Sequence, residues 1–481
     1  MRASEAGLAA VFHRIDITPT YPVSLLGYFN DRVSEGVLDP LHCRLAAFRD
    51  LSARRKSRAS RRNRRVSPGR LLFVQIDTCL FDQAFDWSLR RALRKRECGA
   101  WRRRELLIFA SHTHTAPALA RLYEAPRQER YASELVAGIA AAAGATARAL
   151  AGAEEITVSV SRGRAEGLSF NRRWLGPDGM AVTNPSRAQR AQLRGPEGPV
   201  DPEVLTLWFR DAVGAPRAAF VSVANHTDTV GGQRISADWP GVLEREIVRA
   251  LGADLPVFFL PGAQGNVNHF DPAARDGQTG RAEALRLGRA YAEAVLACLP
   301  GARPMAFAAR RPALGCFPQW VRLPGRRIPP GELDAARALL AAGGEGAGAQ
   351  TLTASELASG SPAVGRVLAR ELLRQAPSRR RSYRVPLPAV RLGDVLFCGI
   401  PGEPFVELGL ALKGALAPVG SPLVVPLGLA GGYYGYILPG ERLRAGGYEA
   451  LPASGRLGGA AAAAIVEHFR RVARPRARRP R

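Results

Sequence analysis

The stretch Leu106-Leu107-Ile108-Phe109-Ala110-Ser111-His112-Thr113-His114-Thr115 decides how the chain is read. Its first five residues are apolar, which predicts a short buried strand. A His-x-His pair follows where that strand gives way to a loop. In open α/β sheets, ligands and catalytic groups collect outside the carboxyl ends of the strands. Histidine is the commonest metal ligand and the usual proton shuttle. Two strand-end histidines bonded to nearby backbone give the same pattern, because His-x-His is frequent by chance.

The arrangement recurs further along the chain. Ala219-Phe220-Val221-Ser222-Val223-Ala224 reads as a strand and runs into Asn225-His226-Thr227-Asp228. A strand over 394–399 leads through Gly399-Ile400-Pro401-Gly402 to Glu403, where a helix is expected to open. A fourth loop carries Tyr433, Tyr434 and Tyr436. Apolar alternation predicts strands at 13–19, 45–48, 71–77, 156–160, 204–209, 256–260 and 383–390. Helical periodicity predicts helices at 82–97, 129–151, 240–251, 280–298, 331–342, 363–375 and 459–471. This is an α/β pattern. The expected architecture is a single large domain over 1–481, with layered mixed β-sheets flanked by helices and catalytic loops at the strand ends. Within it, 54–70 reads as an Arg-rich loop inserted between two neighbouring strands, 301–381 as a lid or subdomain around a Gly/Ala/Ser-rich tip, and 473–481 as a basic tail.

Bulk properties narrow the function. Hydrophobic residues make up 46% of the 481, as in an ordinary globular protein. No run of about 18 apolar residues predicts a transmembrane span, and no signal-peptide h-region precedes His13. A cytoplasmic protein is expected. Six scattered cysteines without a Cys-x-x-Cys argue against a disulfide framework or a cysteine zinc site. The net charge is +26. The basic blocks lack interleaved aromatics or a nucleic-acid motif, so no specific nucleic-acid partner is expected. Contact of the basic loop and tail with an anionic surface is the partner class they allow.

Separate loops at one sheet edge can supply the three or four N/O donors of a zinc site. Taken singly, the candidates stay open. His226 reads equally as ligand or structural histidine. Glu403 is also a carboxylate favoured at a helix N-terminus, and Tyr436 is also a packing residue. Asp228 or Asp238 could orient a ligand histidine, while Asp238 equally reads as a helix-start carboxylate.

Motifs along the whole chain tie these residues together. They are Asp16-Ile17-Thr18-Pro19, Gly27-Tyr28, Asp39-Pro40-Leu41 with Arg44, Asp77, Ser111-His112-Thr113-His114-Thr115-Ala116-Pro117, Asn171-Arg172 and Asn225-His226. Ile235-Ser236-Ala237-Asp238-Trp239-Pro240-Gly241, Ala263-Gln264-Gly265-Asn266, Pro401-Gly402-Glu403, Gly435-Tyr436 and Gly447-Tyr448-Glu449 complete the set. In this order they resemble the catalytic domain of the neutral/alkaline non-lysosomal ceramidases. The resemblance implies a zinc-dependent amidohydrolase acting on a small or lipid-like N-acyl substrate. It implies Zn2+ held by His112, His226, Glu403 and Tyr436, with Tyr433 and Tyr434 as neighbouring alternatives. His114 becomes the acid/base or orienting group, and Arg172 binds or polarises the substrate.

Two departures accompany it. Where the family carries a substrate-contacting serine in Ser-Pro-Asn, this chain reads His269-Phe270-Asp271-Pro272, and no counterpart of the family's immunoglobulin-like domain is expected within 1–481. Asp271 is therefore expected either at the site, disfavouring ceramide, or simply capping the turn before Pro272. Two other readings stand beside the amidohydrolase. One is a metal-dependent hydrolase of an ester or other polar substrate. The other is a basic, non-catalytic relative that binds anions or nucleic acid.

Overall fold

The computed structural model describes residues 7–51, 69–271, 278–305, 307, 314–317, 320–343, 360–419 and 423–474. Eight strands build the larger sheet: β1 (Leu8–Asp16), β2 (His42–Asp50), β3 (Arg70–Ile76), β4 (Leu106–Ala110), β5 (Glu155–Arg164), β6 (Glu203–Arg210), β7 (Pro216–Val223) and β8 (Val257–Pro261). They lie in the order β8-β7-β6-β5-β1-β2-β3-β4, with the short strand Arg303–Pro304 added on β5. A smaller sheet contains β9 (Leu314–Cys316), β10 (Ala389–Leu392), β11 (Val395–Gly399) and β12 (Leu423–Leu427), in that order.

Side-chain alternation explains how the layers stack. Successive residues of a strand point to opposite faces. On β2, Leu45 and Ala47 face one cluster while Ala46 and Phe48 face another. On β3, Leu72, Val74 and Ile76 share the first cluster, and Leu71 and Phe73 the second. Val395 and Phe397 of β11 also enter that second cluster, whereas Leu396 and Cys398 face the opposite way. The two sheets therefore pack face to face over a phenylalanine core. Phe73 sits 5.4 Å from Phe220 and 5.1 Å from Phe397, ring centre to ring centre.

Helices cover the outer faces. Helices α1 (Gln83–Leu93) and α2 (Glu129–Gly152) cover one part of the larger sheet, and α3 (Asp238–Leu251) and α4 (Arg281–Ala297) another. Helix α2 is long and apolar enough to cross a membrane by length and composition. Its Leu135, Ile139 and Ala143 stripe is buried in the same cluster as Leu45 and Val74, the place of a core helix. Helices α5 (Pro330–Ala341) and α6 (Pro362–Gln375) fall within 301–381. Val364 and Val367 of α6 pack with Phe29 and Tyr123. Helices α7 (Val406–Leu416) and α8 (Ala461–Ala473) cover the smaller sheet.

Most expected elements occur where the sequence reading put them. β2 and β3 are antiparallel neighbours, with Arg49 opposite Arg70, so they do flank the Arg-rich insertion. Its residues 54–68, the tip at 344–359 and the tail from 475 lie outside the described residues.

One expectation is corrected. Glu403 does not open a helix. It pairs in a two-residue parallel ladder with Tyr436, and α7 starts at Val406. Pro404 follows Glu403, and a residue before proline is driven from the helical region toward extended backbone.

Candidate metal centre

Three parallel strand pairs deliver the site. β3 pairs with β4, β7 with β8, and β11 with β12, each in parallel register. Their carboxyl ends are tied together by Gly262 N–H to Val223 O at 2.9 Å and Gly428 N–H to Pro261 O at 2.9 Å. A bridge from Phe109 to Ala430 joins the two sheets at the same edge. The loops leaving these ends carry His112 and His114, His226, Gln264, Glu403, and Tyr433 to Tyr436.

His112 holds a left-handed φ of 76°, uncommon for a residue other than glycine. Such a backbone persists where the surroundings over-determine it. Here the His112 N–H bonds Thr78 O at 2.8 Å, and its Nδ1 lies 2.8 Å from Cys79 O. His226 Nδ1 lies 2.9 Å from Gln264 O and 3.0 Å from Val267 O. A carbonyl oxygen can only accept, so both Nδ1 atoms donate. In the neutral rings each Nε2 then carries its lone pair. Those atoms face each other across 3.2 Å, and each is 3.3 Å from Glu403 Oε2.

Three electron-rich atoms thus converge in a nearly dry place. His112, His226 and Glu403 are each at most 2% exposed, and their donor atoms lie within 4.8 Å of one another. Burial opposes the Glu403 charge, and without a metal the carboxyl is held well below the usual range by His112. Burial opposes the His112 charge too, but Cys79 and then Glu403 push that ring well above the ordinary histidine value, so a proton on it stands where a bound cation would act. Oε2 has no hydrogen-bond partner among the described residues. An unpaired buried carboxylate oxygen facing two imidazole lone pairs fits a cation, and this N/N/O set suits zinc.

A second grouping, Cys79 with His112 and His114, is a poorer donor set. Burial pushes the Cys79 thiol up, toward its non-ligating neutral form.

Neighbouring groups surround the three donors. Tyr433 donates its hydroxyl to Glu403 Oε1 at 2.8 Å. Tyr434 points away, toward Arg384 O at 3.4 Å. Tyr436 is buried, and its phenol is held well above its ordinary value by burial first and then by the Glu403 charge. Of the three tyrosines, Tyr433 is thus committed to Glu403 Oε1, and Tyr436 remains beside the donors and Arg172.

Arg172 is clamped from two sides. Its Nε donates to Glu449 Oε1 at 2.8 Å and its Nη2 to Gly265 O at 2.8 Å. Nη1 points to His226 Nε2 at 3.3 Å, and the guanidinium also hydrogen-bonds the Tyr436 side chain. Glu449 in turn accepts from Arg173 Nη1 at 2.7 Å and from the Thr183 hydroxyl at 2.8 Å.

His114 Nε2 stands 3.5 Å from His112 Nε2, and its buried Nδ1 has no partner among the described residues. Burial, then His112, push its pKa well below the ordinary histidine value, so the ring is neutral. Gly27, at φ +130°, backs this ring, and a Cβ there would meet His114 Cγ at 2.5 Å.

Of the two readings of Asp238, the helix-start carboxylate holds. Neither Asp228 nor Asp238 orients a ligand histidine, because backbone carbonyls do so. Asp228 pairs with the buried His269 at 3.4 Å. Asp238 Oδ2 accepts from Val230 N–H at 2.8 Å and Oδ1 from Trp239 N–H at 2.6 Å, at the start of α3. Asp271 lies in the loop after the short strand Val267–Asn268. Its backbone is clasped by Gln278, N–H to Oε1 at 2.6 Å and O from Nε2 at 3.0 Å, and its charge acts on Arg286 of α4. The sequence motif gives Glu449 no role of its own and Tyr433 only that of an alternative metal ligand. The cue at Glu449 was a lone acid beside an aromatic residue and two glycines.

No family model matches the sequence, and no curated protein does either. Solved structures do. Neutral ceramidase from Pseudomonas aeruginosa superposes with a TM-score of 0.68 at 19% identity, over 98% of this chain and 74% of that one. A ceramidase complexed with C2 gives a TM-score of 0.66 at 17% identity, over 98% and 75%.

Proposed function

We propose that this protein, which has the fold of the neutral ceramidases, is a zinc-dependent hydrolase cleaving the C–N bond of an N-acyl amide. The observation that carries the reading is the unpaired Glu403 Oε2, 3.3 Å from Nε2 of both His112 and His226. Those three atoms would hold the metal, with the Tyr436 hydroxyl as fourth donor. When bound, zinc lowers the pKa of a coordinated water toward about 7 and polarises a carbonyl.

The protein's own groups supply the rest. Neutral His114 accepts the attacking water's proton at Nε2 and returns it to the departing amine. Arg172 has Nε and Nη2 committed to Glu449 and Gly265, and Nη1, 3.3 Å from His226 Nε2, would turn to the substrate oxygen that gains negative charge once that Nε2 holds metal. Ester cleavage needs the same machinery. The amide reading is favoured by what the two structural neighbours are called.

Metal analysis of the purified chain tests the reading. About one zinc per chain is expected, lost in His112→Ala and His226→Ala. His114→Ala should keep the metal and lose about 10²–10⁴-fold in turnover. Absence of bound transition metal after reconstitution with zinc would remove the proposal.

A further inference from the structure

Two adjoining cavities, of about 730 and 680 Å3, open on the surface beside α1 and share Trp87 and Arg103. The first is also lined by Trp320, Arg322, Arg380 and Arg384, the second by Arg94 and Lys95, and neither lining contains a carboxylate. Elsewhere, surface arginines find acids, as Arg130 finds Glu134 at 2.8 Å. In this cleft Arg90 finds Asp86 at 2.7 Å, but Arg103, Arg322, Arg380 and Arg384 form no ion pair among the described residues. Arg103 and Arg384 lie against the Trp320 ring instead, 4.5 and 5.0 Å from its centre. Arg322 Nη1 donates to the Ser382 hydroxyl at 3.0 Å.

Burial first, and then the nearby Arg90, depress Arg103 below the ordinary arginine range. Arg384 and Arg94 add to this, and Asp86 opposes it. The helix dipole accounts for cations at the end of α1. It does not account for Arg103, Arg322, Arg380 and Arg384, which come from other segments. Like charges gathered in one concavity repel unless a counter-charge is bound. Guanidinium groups match phosphate oxygens in a bidentate fork. On the rim, Trp87 is 59% exposed and offers an apolar face next to the cations.

We propose that this cleft binds the phosphate group of an anionic ligand, held by Arg103, Arg322, Arg380 and Arg384 beside the Trp87 and Trp320 rings. The phosphate comes either from a phospholipid headgroup in a bilayer or from a soluble phosphorylated molecule. Single-stranded nucleic acid fits less well, because it needs free aromatic faces for successive bases, and Trp320 is already stacked by guanidinium groups. The cleft adjoins the catalytic edge. Gln83, which lines it, donates to Tyr433 O at 3.3 Å, on the loop whose Tyr433 hydroxyl meets Glu403.

The test uses the full chain and two probes, pyrophosphate by calorimetry and cosedimentation with vesicles. The vesicles are phosphatidylcholine alone or phosphatidylcholine containing phosphatidylglycerol. Binding of at least one phosphate source is expected. Arg103→Gln/Arg384→Gln should weaken it about tenfold or more. The remote pair Arg217→Gln/Arg303→Gln should bind like wild type. Binding to anionic vesicles alone, weakened by Trp87→Ala, assigns the lipid source, and binding of pyrophosphate assigns the soluble one. If the first double variant misfolds by circular dichroism, the exposed pair Arg322→Gln/Arg380→Gln replaces it. Three results would each overturn the proposal. One is wild type binding neither source, and another is equal loss in the remote pair. The third is a single-stranded oligonucleotide that binds more tightly than both probes and is lost in the cleft variants.

Discussion

Arg172 Nε donates to Glu449 Oε1 at 2.8 Å with both side chains buried, and this pair fixes where the remaining guanidinium nitrogen points. Glu449 also neutralises Arg173, whose other partner is Glu197 at 2.6 Å. Removing one member of a buried charge network leaves uncompensated charge and costs about 3–5 kcal/mol. Glu449→Ala should lower stability by that order in denaturant titration. Arg172→Lys keeps a charge but loses the fork. It should keep metal content and secondary structure while lowering kcat. An Arg172→Lys enzyme with wild-type kcat would deny Arg172 its role.

Tyr433 supports Glu403 through one hydrogen bond, at Oε1. Partners of metal-bound carboxylates typically contribute about 10–100-fold in affinity. Tyr433→Phe should therefore release zinc at about tenfold lower chelator concentration, with a stability loss of only about 1 kcal/mol. Zinc retention equal to wild type would move Tyr433 out of the site's support.

Gly27 combines a positive φ with a close approach to the His114 ring. Gly27→Ala adds backbone strain and pushes the ring, effects of about 1–3 kcal/mol. Turnover should fall while zinc content stays at the wild-type level. Loss of zinc in parallel with activity would show that the substitution disturbs the whole edge.

His468 of α8 supplies a pH signature of the fold. Burial, then Arg471, depress its pKa from 6.5 to about 4, against a hydrogen bond that the ring donates to the Leu387 backbone, which raises it. The unfolded chain therefore binds the proton more readily than the folded one. Its contribution is present in full above pH 6.5 and falls as the pH drops toward about 4. Thermal midpoints should fall across that window in wild type, and less steeply in His468→Gln. Equal slopes in both proteins would contradict the assignment.

Much of this architecture could be read from local pattern. The uncharged run Leu106–Ala110 followed by polar residues marked both a strand and its functional end. Two kinds of information were not local. The groups that fix the histidine tautomers are backbone carbonyls of Cys79, Gln264 and Val267, and any residue type supplies those. The partner of Arg172 lies 277 positions away, at Glu449. The turn Gly399–Gly402 reads as a helix start, which places Glu403 on a helix. Pro404 and pairing with Tyr436 hold it extended instead. Spacing says nothing of the Gln278 side chain that clasps the Asp271 backbone from seven positions on.

The central claim is amide hydrolysis that depends on a metal held by His112, His226 and Glu403. Its most direct measurement is amine release from a panel of N-acyl amines, long-chain ceramide included. The purified chain is assayed as isolated, after chelation, and after zinc is restored, with Glu403→Gln in parallel. The expected result is cleavage of at least one amide that chelation abolishes, zinc restores and Glu403→Gln lacks. Cleavage that survives complete metal removal, or persists unchanged in Glu403→Gln, would contradict the account.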